Sequence, residues 1–308
     1  MTAFRHALVT GGAGFIGSHL TRALLAQGRT VTVIDNLSVG RREVVPSGAR
    51  FVHGDIRDER AVADALDDVD CVFHLAAQVT IRGSFDRFYE DLDTNVMGTA
   101  RLLKAVDPQK VNWFVLASSM AVYADADRPR AIDESHPTKP LSPYGWGKLT
   151  SEGVAEQILG DRGIPLTVCR FFNTFGPGQT YTPYVGVITI FVTRLLRGEP
   201  AVVFGDGEQQ RDFVHVEDIV SGVIAAPGRP AGTYNLGTGR GTSLNQLAGL
   251  LTTRLNPAQK PRHAPAQAGE LRYSIADISA ARSALGYNPT RTIESNLDGV
   301  IADIRQRL

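Results

Sequence analysis

Apolar and polar positions follow two rhythms along this chain. Short apolar runs recur at 5–10, 30–34, 50–53, 70–75, 112–117 and 165–171, and these read as strands. Between them, 15–27, 58–67, 86–106 and 144–160 carry apolar positions at helical spacing. Repeated strand–helix units predict a parallel sheet with helices on both faces, a doubly wound α/β domain of Rossmann type. From Asn173 the rhythm changes. Loop-forming residues dominate 173–186, a helix is predicted over 187–197, and Val202-Val203-Phe204 reads as a short strand. The segment 256–270, rich in Pro, Ala and Gln, reads as a long surface loop. The chain then divides into 1–172 plus about 213–238, a first domain, and about 173–212 plus 239–308, a smaller α/β domain for a substrate.

The first strand runs directly into Gly11-Gly12-Ala13-Gly14-Phe15-Ile16-Gly17, and a helix follows. The next strand ends in Asp35. This strand–glycine turn–helix–strand–acid order is that of a dinucleotide-binding unit. Gly11, Gly14 and Gly17 let the backbone approach phosphates, and the helix start at Phe15 and Ile16 offers free N–H groups to a pyrophosphate. Asp35 is placed to accept hydrogen bonds from an adenosine ribose. Its charge repels a 2′-phosphate, so NAD is expected over NADP. Arg41 and Arg42 weaken that preference slightly. The ordinary alternative is a glycine-rich turn with no ligand.

Composition narrows the field. Among 308 residues, 43% are hydrophobic, which is ample for a core, and the 32 basic residues match the 32 acidic ones. Nothing suggests nucleic acid or an anionic membrane as partner. No apolar run approaches membrane-spanning length, and the chain enters a strand at once, so neither a membrane span nor a signal peptide is expected. Cys71 and Cys169 sit in apolar strand-like runs and are expected as buried free thiols in a reducing, cytoplasmic setting. The seven histidines show no metal-ligand spacing, so no metal is expected.

Tyr144-Gly145-Trp146-Gly147-Lys148 puts a phenol and an ammonium one helical turn apart. A Lys charge beside the phenol, with a positive nicotinamide ring, is expected to pull its pKa from near 10 toward neutral and make it a base. The ordinary alternative is an exposed i,i+4 pair. Ala117-Ser118-Ser119 falls at the carboxyl end of a predicted strand, where parallel sheets place ligands. A strand-end serine that only caps a loop is the plain reading there.

The glycine spacing, Asp35-Asn36-Leu37-Ser38, Gly54-Asp55-Ile56-Arg57, His74-Leu75-Ala76-Ala77-Gln78, Asn95-Val96-Met97-Gly98-Thr99, Arg170 to Pro177 and Arg211 to Val216 carry a family resemblance. With Tyr144 and Lys148, the chain resembles the extended short-chain dehydrogenases/reductases, and within them the NAD-dependent sugar-nucleotide epimerases, UDP-glucose 4-epimerases above all. The resemblance implies that Ser119, in Ser119-Met120-Ala121-Val122-Tyr123, is catalytic with Tyr144 and Lys148, and that Ser118 packs near the cofactor. It implies cofactor contacts from Asn36, Ser38, Gly40, Asp55, Ile56, Leu75, Ala76, Ala77, Gln78, Asn95, Ala117 and Phe171 besides those above. On the substrate side it implies Met120, Phe172, Asn173 near a phosphate, Val187, Val202 and Phe204 around uracil, Arg211 on the pyrophosphate, Glu270 and Ser274. Arg211 has an ordinary alternative, an ion pair with Asp212 or Glu217. It also implies a homodimer through the helices 86–106 and 144–160.

Three departures matter. Gln267 stands where many relatives have an Arg, and Arg262 or Arg272 are its possible replacements. Ala124 replaces a usual Gly, and the small Ser274 implies a roomy hexose pocket. The 4,6-dehydratases of the family carry an acid pair where this chain has Met120 and Ala121, and the decarboxylases carry a Glu at the second position. The expected reaction is therefore 4-epimerisation of a UDP-hexose, UDP-glucose/UDP-galactose with UDP-GlcNAc open. One alternative is UDP-glucuronate, with Thr180 and Thr182 near its carboxylate. The other is an inactive NAD-binding regulatory protein, which the intact Ser119, Tyr144 and Lys148 argue against.

Overall fold

The computed structural model describes residues 4–182, 186–266 and 271–308. Seven strands form one sheet, in the spatial order Gly232–Leu236, Leu166–Phe171, Trp113–Ser119, Cys71–His74, His6–Thr10, Thr30–Asp35 and Arg50–His53. All six pairings are parallel. The order grows outward in both directions from between His6–Thr10 and Cys71–His74. That is the reversal point of a doubly wound sheet, and ligands bind outside the carboxyl ends of the strands there.

The strands are apolar along their length because both faces are covered. Val9 and Phe73 join one buried cluster with Leu20 and Leu24, while their chain neighbours Leu8 and Val72 join another with Leu102 and Phe114. Cys71 and Cys169 are free and buried. The strand Trp113–Ser119 lies between theirs, which keeps the thiols apart. Among the described residues no helix is long and apolar enough to cross a membrane.

Three expectations change. The helix over 86–106 is divided into Gly83–Asp86, Phe88–Leu92, a π turn Asp93–Gly98 and Thr99–Ala105. Hydroxyls of Thr99 and Ser151 donate to the Asn95 carbonyl at 2.6 and 2.8 Å, which takes that acceptor out of the regular ladder. The segment 256–270 is not all loop: Arg262–Ala264 pairs in parallel with Val202–Phe204. Asn173–Phe175, in the stretch read as loop, pairs with Gln210–His215.

A second sheet runs Gly241–Ser243, Gln210–His215, Tyr273–Ala276 and Ala131–Ile132. Residue 213 thus falls inside a strand. The helix after that strand, Val216–Ala225, buries Ile219 and Val223 in the same cluster as Val9, Leu20, Ile278 and Ala281. A separate cluster around Phe191, Leu247 and Leu297 fills the rest of the smaller lobe.

The long helix Pro143–Asp161 is tied to the sheet by a buried ion pair. Arg170 donates to both Glu152 oxygens, at 3.0 and 2.6 Å, and Ser118 donates to the same carboxylate. The guanidinium also lies 4.8 Å from the Tyr123 ring centroid. Replacing one member leaves the other charge buried alone, at a cost of about 3–5 kcal/mol. Arg170→Met is expected to lower the unfolding free energy by about that amount, measured by denaturant titration. A loss below about 1 kcal/mol would show that the pair is solvated.

Candidate active site

A cavity of about 440 Å³ opens at the carboxyl edge of the large sheet. The glycine turn forms one wall. Gly11 has φ +70°, and a Cβ there would stand 2.9 Å from the Ala76 backbone. At Gly17 a Cβ would stand 2.2 Å from the Gly11 carbonyl oxygen. The helix Phe15–Ala26 begins after Gly14 with no side-chain cap, so its first N–H groups remain for a ligand. Asp35 supports the turn, accepting from the Ala13 N–H at 3.0 Å and the Leu37 N–H at 2.8 Å. A carboxylate has four acceptor positions, so Asp35 retains capacity for ribose hydroxyls. These features fit a dinucleotide.

Of the cofactor residues expected from sequence, all but Asn95 line this cavity. Asn95 acts at one remove. Its Oδ1 accepts from the Gln78 N–H at 2.8 Å and its Nδ2 donates to the Gln78 carbonyl at 3.1 Å, which pins the loop after His74. Asp55 is held ionised: a hydrogen bond from Arg57 brings it down to about 2 against the cost of burial, with help from Asn36.

Ser119, Tyr144 and Lys148 line the same cavity. Their meeting follows from local packing. Ser142 caps the helix, its oxygen accepting from the Gly145 N–H at 3.1 Å, and Pro143 occupies the first turn. Ser84 accepts from the Tyr144 N–H at 3.1 Å. A Cβ on Gly145 would stand 2.3 Å from the Ala121 carbonyl, so only glycine lets the helix start dock on the turn after Ser119. The Ser119 hydroxyl accepts from the Ala121 N–H at 3.2 Å and lines the same cavity as the Tyr144 phenol. Tyr144 and Lys148 are 5% and 7% exposed, which excludes the ordinary exposed pair.

The electrostatics differ from the expectation. Burial pushes the Tyr144 phenol up to about 12, Ser119 draws it back, and Asp91 pushes it further up. Lys148 is not among the groups that lower it, because its Nζ is turned to the Ala117 carbonyl, donating at 2.9 Å. Burial brings Lys148 itself down to about 8. Desolvation outweighs the attraction that the spacing alone suggests.

On the substrate side, Met120, Phe172, Asn173 and Val187 line the cavity, and so do Thr180 and Thr182. The structure does not bring Val202, Phe204, Arg211 or Ser274 to that wall. One face of Phe204 is covered by Arg82, 4.7 Å from its centroid. Ser274 is fully buried beside Arg211 in the sheet register. The alternatives for Arg211 do not hold: Asp212 accepts from Thr238, Gly239 and Ala276, and Glu217 pairs with Arg291. Arg211 donates to the Gln210 carbonyl at 2.9 Å. Arg272 is bidentate to Asp206, at 2.7 and 2.8 Å, and Arg262 belongs to an edge strand. Gln267 and Glu270 lie outside the described residues. Sequence reasoning missed Thr80, Thr94, Thr174 and Gln179 on the wall. It also missed Glu152, whose i+4 spacing from Lys148 was a usable signal, and Ser84, which had none.

The sequence model of the NAD dependent epimerase/dehydratase family matches residues 7–237. The chain belongs to that family. It is 33% identical to a UDP-glucose 4-epimerase of Mycolicibacterium smegmatis, over 97% of this chain and 98% of the relative. The fold is similar to the crystal structure of a UDP-glucose 4-epimerase of Thermotoga maritima with UDP-glucose. The TM-score is 0.94 at 36% identity, with 98% and 99% of the two chains covered. It is also similar to a Thermus thermophilus UDP-glucose 4-epimerase in complex with NAD, at TM-score 0.92 and 31% identity, with 98% and 100% covered.

The 2.2 Å approach at Gly17 generates a prediction. Denaturing the purified protein should release NAD in near-stoichiometric amount, and Gly17→Ala should release little. NADP released in place of NAD would overturn the reading of Asp35.

Proposed function

We propose that this protein interconverts UDP-hexoses epimeric at C4, with UDP-glucose and UDP-galactose as its principal pair. The observation that carries the reading is that Ser119, Tyr144 and Lys148 line one cavity together with the glycine turn. The neighbouring Met120 and Ala121 offer no acid for removing water from the sugar. The residues that line the phosphate side, Gly11, Gly14 and Gly17, would hold NAD, with Asp35 at its ribose. NAD supplies the hydride acceptor and, when oxidised, a positive charge beside the phenol.

With the bound cofactor's positive charge favouring its phenolate, the Tyr144 oxygen would take the proton of the C4 hydroxyl as the C4 hydride leaves. Ser119 donates a hydrogen bond to the same sugar oxygen and steadies the charge as the proton moves. The 4-keto sugar turns, hydride returns to its other face, and Tyr144 gives the proton back. Atoms balance over the cycle, and no co-substrate is consumed. Lys148, whose Nζ donates to the Ala117 carbonyl, would anchor the ribose side. The smaller lobe, 173–212 plus 239–308, supplies the nucleotide side, with Asn173 toward a phosphate.

Purified protein incubated separately with UDP-glucose, UDP-GlcNAc and UDP-glucuronate should convert UDP-glucose to UDP-galactose, read by product separation. Thr180 and Thr182 on the wall support UDP-glucuronate as a second substrate. No conversion of any of the three would overturn the reading. Tyr144→Phe should lose about 10²–10⁴ in turnover, the usual cost of losing a general base. Ser119→Ala should cost less.

The same reading includes a homodimer. Phe88, Tyr89 and Leu92 on the helix Phe88–Leu92 are exposed, Tyr89 by 76%, and so is Phe85 in the turn before it. Trp146, on the adjacent long helix, is 51% exposed. An apolar stripe across two packed helices suits a second copy of the same surface. The buried free thiols support a reducing, cytoplasmic setting. Light scattering at micromolar concentration should give twice the mass of 33.2 kDa, and Trp146→Glu should shift it toward the monomer.

A further inference from the structure

A short loop on the substrate side is held from both lobes at once. Residues 177–180 come just after the strand Asn173–Phe175, and Gln179 and Thr180 line the cavity. His19 Nε2 lies 2.9 Å from the Pro177 carbonyl oxygen. A carbonyl only accepts, so Nε2 carries the proton and donates. The Gly178 N–H donates to Asp303 Oδ2 at 2.8 Å, and Arg307 donates to the Gln179 carbonyl at 3.0 Å. Asp303 and Arg307 also pair with each other, one turn apart on the last helix, Ile293–Arg307. Three successive loop residues thus each give one backbone group to a side chain from elsewhere in the chain.

The same groups are packed as well as bonded. His19 stands one turn after Phe15 on the helix Phe15–Ala26, and the two rings meet edge to face with 5.9 Å between centroids. Phe15 lines the cavity with the glycine turn. A Cβ on Gly178 would stand 3.7 Å from His19 Nε2 and 4.0 Å from the Phe15 ring, so the loop rests on this pair. A Cβ on Gly299, in the last helix, would stand 3.7 Å from the Pro177 ring. The Gln179 side chain ties the loop to its neighbours: Oε1 accepts from the Thr189 hydroxyl at 2.7 Å, and Nε2 donates to the Thr174 carbonyl at 3.2 Å. Burial holds His19 below the usual imidazole range, so the ring is a neutral donor at neutral pH.

We propose that His19, Asp303 and Arg307 are positioning residues that clamp the loop 177–180 in place for the sugar nucleotide, with His19 as the link from the cofactor helix to the substrate wall. This deepens the UDP-hexose reading and rests on it. None of the three side chains lines the cavity, so each acts through the loop. Pro177 has a fixed φ and no N–H, so the bond from the large lobe falls on a stiff point. A loop ordered before the ligand arrives takes an ordering cost out of binding. Contacts made by such a loop persist from substrate to transition state, so the clamp acts on KM and leaves kcat.

His19→Phe keeps a ring against Phe15 and loses the donor, whereas His19→Gln returns an N–H near the place of Nε2. With UDP-glucose, or whichever UDP-sugar is turned over, His19→Phe should raise KM about 2–10-fold and hold kcat within about twofold, the effect of one lost hydrogen bond. His19→Gln should restore most of the affinity, and both variants should keep their bound NAD. Asp303→Ala should raise KM likewise, and the double variant should fall short of the product of the two effects, because both hold one loop. Amide hydrogen exchange at Gly178, read by mass spectrometry of the loop peptide, should quicken in His19→Phe. A lowered melting temperature with KM unmoved would overturn the proposal, and so would a loss confined to kcat, a loss of NAD in step with KM, or freely multiplying effects. If the unsubstituted protein turns over no UDP-sugar, the function reading falls instead. Exchange at Gly178 then decides the clamp, and an unchanged rate in His19→Phe would overturn it.

Discussion

Lys148 carries its ammonium to a place where bulk hydration is gone, and the surrounding elements are arranged to replace that hydration. One donor goes to the Ala117 carbonyl at the end of a central strand. Glu152, paired with Arg170, lies one turn further along the same helix. Each of these contacts requires the helix Pro143–Asp161 at a fixed height above the sheet. That height is set by close approaches, at Gly145, where a Cβ would stand 2.3 Å from the Ala121 carbonyl, and more loosely at Gly147, where it would stand 3.3 Å from Asp91. The phenol of Tyr144 is then carried to Ser119 by the same rigid body. A cation buried this way is costly to hold, and the buried Arg170–Glu152 pair keeps its support from shifting.

The large sheet was legible because both its faces are buried and its strands are uniformly apolar. Leu8 and Val9 point to different cores, yet both had to be hydrophobic. The glycine turn was legible for a related reason: backbone crowding leaves a mark that side chains cannot hide. The smaller lobe was less so. Arg262–Ala264 is short, polar and at an edge, and nothing in its pattern announces a strand. The break in the helix over 86–106 depends on hydroxyls of Thr99 and Ser151 sharing one carbonyl, and Ser151 is distant in sequence.

The catalytic trio was legible as residues, but its electrostatics was not. Spacing places a lysine beside a tyrosine. It does not say that both are sealed from water, or that Nζ turns toward the strand end. His19 shows the same limit from the other side. A histidine on an ordinary helix gains its meaning only once the carbonyl facing it is known.

The strand Gln210–His215 has a consequence for how a sugar can turn over inside the protein. Both halves pair with strands of the smaller lobe, the first with Gly241–Ser243 and Tyr273–Ala276 and the second with Asn173–Phe175. The next helix is rooted in the core of the large sheet. A single stiff rod thus runs through both lobes, and no flexible joint separates them there. An oxidised sugar confined in this way meets its returning hydride before it meets solvent, and the fidelity of the cycle rests on containment.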